Sequence, residues 1–300
     1  MRRVLLMAAL AASVPAQEWK YSKVSSPFVL PAGMNLGECP GVAVNSKGNV
    51  LIFTRTRNAL AEFTPDGKFL RVLATSDLLP NPHGLRIDPQ DNIWVTDLDA
   101  HVVLKLDTDG RVLMTLGKNK TLGEFLPGFP NIPVFNKPSD IAWNSKGDLF
   151  VTDGYGNSRV VKFDKDGRYL KTWGQKGTGP GEFNLPHAVI IDGEDLVYVA
   201  DRENARVQVF DSEGRFLRQW TNTGHPYGLA WSPDQHLVLS DARKEQVVKM
   251  NRDGQVLGAF GEHGKGLGQF MWPHWVAFGP GGEMYVAEIL NWRVQRFDFK

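Results

Sequence analysis

Short runs rich in Val, Ile, Leu, Phe and Tyr alternate along the chain with clusters that favour turns. "IWVTD", "LFVTD", "VYVAD", "LVLSD" and "MYVAE" are each followed, after a short polar gap, by a second apolar run such as "RVVKF" or "RVQVF". After that second run comes a turn signal in five places: "PDGK" at 65, "TDGR" at 108, "KDGR" at 165, "SEGR" at 212 and "RDGQ" at 252. Apolar runs of strand length bounded by Asp-Gly pairs read as hairpins. No window sustains a helical period, so the pattern predicts an all-β protein.

The pattern also repeats. Six windows align without a gap, beginning at Cys39, Pro82, Pro138, Pro186, Pro226 and Pro273 and ending at Thr54, Asp97, Asp153, Asp201, Asp241 and Glu288. Their starts are 40 to 56 residues apart, the length of a four-stranded propeller blade. A six-bladed β-propeller is therefore expected over residues 17–300. The sixth copy stops without a fourth strand and residues 17–35 precede the first copy. The N-terminal segment should then supply the missing strand, close the ring and cover an otherwise open sheet edge. The insertion "KNKTLGEFLPGFPNIPVFN" at 118–136, with its Gly and Pro, reads as a loop between blades 2 and 3.

Charge and composition narrow the class. Residues 1–16, MRRVLLMAALAASVPA, have a basic start, a short apolar run and a small-residue end, as a secretory signal peptide cut near Ala16 does. Losing Arg2 and Arg3 with it turns the formal charge from +1 to −1, which removes any electrostatic case for nucleic acid. No later stretch is apolar enough for a membrane helix. The expectation is a monomer, secreted or periplasmic, whose single Cys39 leaves it without an intramolecular disulfide.

Aligned in this way, the second position of the windows reads Pro40, His83, Ser139, His187, Tyr227, His274. The histidines fall on strictly alternate blades. First strands line the central channel and blades stand about 60° apart, so the three imidazoles should meet as a triangle. Three histidines leave a fourth position open on a zinc ion, the arrangement of a catalytic site. His101, His225, His236 and His263 lie off this position and read as surface or loop residues.

The position just past each window holds Arg55, Leu98, Gly154 with Tyr155 beside it, Arg202, Ala242 and Ile289. If it shares a face with the histidines, two guanidiniums and a phenol rim the site. A planar fork suits a carboxylate, so an anionic substrate is expected. Zinc and Arg together would favour the phenolate of Tyr155 and make it a general base. Blade 3 carries one extra residue here, a bulge that would re-aim Tyr155. By contrast, Arg159, Arg206 and Arg293 and the repeated Asp97, Asp153, Asp201 and Asp241 read as structural, the acids bonding turn amides of neighbouring blades.

The strands "NSRVVKF", "NARVQVF" and "NWRVQRF" resemble NHL repeats. Together with "NPHGLRIDPQDNIWVTD", "VTDGYGNSRVVKF", "LPHAV" and "VADREN", they make the chain similar to the peptidyl-α-hydroxyglycine α-amidating lyases, or peptidylamidoglycolate lyases. That resemblance implies zinc on His83, His187 and His274, Tyr155 as base, and Arg202 and Arg55 orienting Tyr155 or the substrate carboxylate. A small peptide or related α-hydroxy amide would be cleaved to an amide and glyoxylate. Three positions depart from the family. Gly156 stands where animal members have a disulfide-bonded Cys. Trp275 follows the third histidine where the family usually has an Asp serving a structural calcium, so calcium is not carried over. Trp272, ahead of that histidine, replaces a smaller residue. The alternative reading is a non-catalytic secreted NHL propeller that binds a protein, peptide or glycan. A calcium-dependent lactonase-like hydrolase fits less well, since a hard cation wants oxygen ligands.

Overall fold

A computed structural model describes residues 19–299. The proposed leader and its cleavage point lie outside the described residues. Within them the chain forms six four-stranded antiparallel sheets and one two-stranded ribbon, with no helix. The innermost strands are Val42–Val44, Pro82–Ile87, Asp140–Trp143, Pro186–Ile191, Pro226–Trp231 and Pro273–Phe278. In blades 1 to 5 the four strands follow one another in order; blade 6 has three strands from the C-terminal end and takes its fourth from Lys23–Ser25. That strand runs antiparallel to Arg293–Asp298, with Val24 opposite Phe297, and closes the ring as expected. Trp19 stacks on Phe299 with ring centroids 5.1 Å apart, and Tyr21 meets Phe297 edge-on.

Burial follows strand position within the blade. Second strands such as Leu149–Asp153 and Val197–Asp201 are buried at every residue, because blades pack on both of their faces. Fourth strands such as Phe216–Trp220 expose most of theirs. The apolar side chains therefore form several clusters along the seams between blades instead of one central core: Trp94, Leu116, Phe135 and Val151 fill the seam of blades 2 and 3, and Ala142, Phe150, Phe183 and Val199 that of blades 3 and 4. At the third hairpin of blades 1 to 5 an Asp-Gly or Glu-Gly turn puts Gly in the left-handed region, as Gly167 does with φ +81°. An L side chain there would be strained.

Acidic residues at the ends of the second strands tie the seams together. Asp201 accepts from the backbone N–H of Asn184 (2.7 Å), from Asn204 and from Arg206 Nε (2.7 Å), while the rest of the Arg206 guanidinium donates to the carbonyls of Thr178, Gly179 and Glu182. Arg159 with Asp153 and Arg293 with Glu288 repeat this clamp. The acids thus bond the entry segment of their own blade, where the sequence reading had placed turns of a neighbour. The 118–136 segment is also more ordered than a loop, since Phe125–Leu126 and Phe129–Pro133 pair as a ribbon.

Candidate metal centre

His83, His187 and His274 each follow the proline that opens an inner strand, and all three are essentially buried. Their candidate ligand atoms lie within 4.8 Å of one another, so the alternation of blades does bring them together. A second feature fixes how they point. His83 Nδ1 donates to the carbonyl of Ser139 (2.7 Å), His187 Nδ1 to that of Tyr227 (2.9 Å), and His274 Nδ1 to that of Pro40 (2.6 Å). Each acceptor is the residue at the equivalent position of the next blade. With the proton held on Nδ1, the lone pair of each Nε2 faces the channel axis.

His83 Nε2 and His187 Nε2 are 3.1 Å apart, and in this tautomer both are acceptors. Protonating either ring is disfavoured: burial pushes all three well below the ordinary histidine range, His274 to about 3, with neighbouring imidazoles and the guanidiniums of Arg55 and Arg202 adding to the effect. Ligands 2.0–2.1 Å from a tetrahedral ion stand about 3.3–3.4 Å apart, close to the 3.1 Å between His83 and His187. Three neutral nitrogen donors with fixed second hydrogen bonds fit a borderline-soft divalent ion.

Tyr155 lies against two corners of this triangle. Its hydroxyl is 3.0 Å from Nε2 of both His83 and His187, and Arg202 Nη1 donates to it at 3.3 Å. Gly154 makes this placement possible. A Cβ at Gly154 would sit 1.9 Å from the carbonyl oxygen of Pro186, the residue before His187. The N–H of Tyr155, not of Gly154, bonds Lys137 O (3.4 Å), just as the N–H of Arg202 bonds Leu185 O (3.2 Å). Gly154 is therefore the extra residue of the bulge, and Tyr155 takes the position equivalent to Arg202. Gly156 is likewise confined, with the Asn136 side chain 2.1 Å from where a Cβ would be. Burial raises the Tyr155 hydroxyl above its ordinary value, which the positive charges of Arg202 and Arg55 only partly offset. The phenolate expected from the sequence relied on zinc together with Arg, and the two guanidiniums by themselves leave the hydroxyl protonated at neutral pH.

The two arginines differ. Arg202 Cζ lies 4.6 Å from the Tyr227 ring centroid and 5.4 Å from that of Tyr155, and its Nε is held by Glu203 (2.9 Å). Glu203 in turn pairs with Arg243. Arg55 raises the positive potential at His83, His274 and Tyr155, but its hydrogen-bond partner is Glu38 (2.7 Å). Sequence reasoning missed Tyr227, Glu203 and Arg243; only Tyr227 carried a signal, its place among the histidines. His101 proves buried, accepting from the N–H of Lys137, and His225 accepts a place in the rim by donating to Arg202 O.

Further along the channel, Trp275 offers no oxygen to a cation. Over its ring, at 4.8 Å, lies the guanidinium of Arg86, which is paired with buried Asp140 (2.6 Å) and donates to the carbonyl of Leu229. The channel here thus carries its own ion pair in place of a site for a cation.

Comparison with known proteins agrees with this fold. A family model described as a 6-bladed beta-propeller matches residues 134–221. The chain is 30% identical to peptidyl-alpha-hydroxyglycine alpha-amidating lyase 1 of Drosophila melanogaster, covering 95% of this chain and 62% of that protein. It is 34% identical to the peptidylglycine alpha-amidating monooxygenase of Rattus norvegicus over 56% of this chain and 20% of that one. Less than two thirds of either relative is thus spanned. Among solved structures, a streptogramin B lyase superposes with a TM-score of 0.64 at 14% identity, covering 93% of this chain and 98% of that chain, a likeness of fold.

Proposed function

For a six-bladed β-propeller of NHL type related to the amidating lyases, we propose a metal-dependent carbon–nitrogen lyase that splits a peptidyl-α-hydroxyglycine, or a related α-hydroxy amide, into an amide and glyoxylate. The observation that carries this reading is the convergence of three neutral, backbone-oriented imidazoles beside a single phenol. His83, His187 and His274 would hold zinc, which when bound acidifies a substrate hydroxyl and favours the phenolate of Tyr155.

The residues of the chain supply the rest. Tyr155, within hydrogen-bond reach of the ligand atoms, takes the hydroxyl proton. As the C–O bond becomes the carbonyl of glyoxylate, the C–N bond breaks and its electron pair goes to nitrogen, which gains a proton to become the amide. Tyr155 is placed to return that proton, so the step balances without a co-reactant. Arg202 holds Tyr155 through Nη1 and, with Arg55, provides the positive field for the substrate carboxylate.

Export to the cell exterior or periplasm, through the leader at 1–16, and action as a monomer are part of the same proposal. The test is release of glyoxylate and of the peptide amide from an α-hydroxyglycine peptide by the zinc-loaded protein. Stoichiometric release of both supports the lyase. Zinc-loaded protein that releases neither leaves the propeller as a binding module.

A further inference from the structure

Arg55 and Arg202 occupy the same loop position in their blades, yet their guanidiniums are gripped at different ends. Glu38 takes Nη1 of Arg55 (2.7 Å), so the tip of that fork is already spent on an acid. Glu203 takes Nε of Arg202 (2.9 Å) instead and leaves both terminal nitrogens to point onwards. Of these, Nη1 donates to the Tyr155 hydroxyl (3.3 Å), and Nη2 has no acceptor among the described residues. The Tyr227 ring, 4.6 Å from Cζ, covers the face of the guanidinium.

Glu203 is itself held. Arg243 Nη2 pairs with its second carboxylate oxygen, Arg243 Nη1 donates to His225 Nε2 (3.3 Å), and His225 Nδ1 donates to the main-chain carbonyl of Arg202 (2.9 Å). These four residues form a closed ring of hydrogen bonds that begins and ends on Arg202, once at its side chain and once at its backbone. Donors and acceptors match around the whole ring when His225 is neutral with its proton on Nδ1.

We infer that Glu203, braced by Arg243 and His225, is a positioning residue: it holds Arg202 by Nε so that Nη1 stays on Tyr155. The inference rests on the lyase reading above, in which Tyr155 moves the proton. An arginine side chain has many rotamers, and a single 3.3 Å contact to a phenol is too long to choose among them. The shorter, charge-assisted bond to Glu203 makes that choice. The Glu203 carboxylate makes no hydrogen bond to Tyr155 or to the three histidines, so it acts through Arg202. The sign of its effect separates this role from a purely electrostatic one. As an anion beside a site for an anionic substrate, Glu203 opposes binding, and by charge alone its removal would help. If it positions Arg202, its removal does harm.

Glu203→Ala, Arg202→Ala and the double variant, each as the full zinc-loaded chain, are compared with wild type for glyoxylate release from an α-hydroxyglycine peptide, zinc content and melting temperature. Glu203→Ala should keep its zinc and its fold and lose about 10- to 100-fold in kcat, with KM within about threefold of wild type. Because Glu203 acts through Arg202, the double variant should fall within about threefold of Arg202→Ala. A readout without turnover accompanies these. In protein labelled with 15N-arginine, the Nε–H signal of Arg202, identified by its loss in Arg202→Ala, should be sharp in wild type and exchange-broadened in Glu203→Ala. Wild-type kcat in Glu203→Ala, or a higher kcat/KM, overturns the positioning role and leaves the lyase standing. A double variant that loses the product of the two single losses also overturns it, since Glu203 would then act independently of Arg202. Loss of zinc from Glu203→Ala overturns it in favour of a structural role. Absence of glyoxylate from wild type overturns the lyase; a signal that is then sharp only while Glu203 is present upholds the grip on Arg202, and a signal indifferent to Glu203 overturns that as well.

Discussion

Replacing Gly154 by Ala adds one methyl group at the closest approach between the Tyr155 bulge and the strand that carries His187. The new Cβ would lie 1.9 Å from Pro186 O and 2.9 Å from Pro186 C, where real Cβ atoms essentially never come below 3.0 Å. The two segments must therefore separate by more than about 1 Å, and both opposing atoms belong to backbone, which cannot swing aside. Overpacking of this kind costs about 1–3 kcal/mol, or a fall in Tm of about 2–10 °C for a chain of this size. The larger effect should be on chemistry, because the displacement lies between the general base and a metal ligand. A misplacement of about 1 Å costs about 10²-fold in rate. Glyoxylate release by Gly154→Ala, measured beside its melting curve, should thus fall about a hundredfold while the protein remains folded at 25 °C. Gly193→Ala, at a turn of blade 4 with nothing within 4 Å of the added methyl, is the control and should match wild type. Wild-type activity in Gly154→Ala would refute the view that this contact sets the position of Tyr155.

Tyr155→Phe should keep its metal and its fold but lose about 10²–10⁴ in kcat, the usual weight of a general base; undiminished turnover would move the base elsewhere. Arg206→Ala removes the cation from buried Asp201 and should cost about 3–5 kcal/mol in urea unfolding, whereas a loss below about 1 kcal/mol would mean that the clamp is a packing feature alone. Acid should destabilise the chelator-stripped protein through its three histidines. Their folded pKa values are depressed, His274 from 6.5 to about 3, so below pH 6.5 the unfolded chain binds protons that the folded chain refuses. Stability present above pH 6.5 is then lost as the pH falls towards 3, by up to about 1.4 kcal/mol per unit per histidine. Urea midpoints that stay constant from pH 7 to pH 5 would contradict this.

What the sequence made legible was whatever the repeat imposes. Six aligned windows yield the blades, the ring closure by Lys23–Ser25 and the meeting of His83, His187 and His274, because equivalent positions in a ring are related by rotation. Contacts between unlike positions carry no such signal. The Nδ1 acceptors are main-chain carbonyls of Pro40, Ser139 and Tyr227, and any residue type supplies a carbonyl. Arg55 shares its loop position with Arg202, yet one turns to Glu38 and the other to Tyr155 and Glu203, a choice set by the acid each finds nearby. Arg86 looks on paper like a solvent-facing residue of an inner strand, and only the fold reveals Asp140 opposite it in the channel. The 118–136 ribbon escaped notice because Pro and Gly interrupt its two short strands and hide their alternation.

The account depends on three imidazoles sharing one ion. Metal content of the purified full chain, measured by atomic emission after dialysis, addresses this directly, alongside His187→Ala prepared in the same way. One zinc per wild-type chain, and a small fraction of that in the variant, is the expected result. Wild-type protein that retains no zinc when loaded with it, or a variant that retains as much as wild type, would contradict the claim that these histidines form a metal centre.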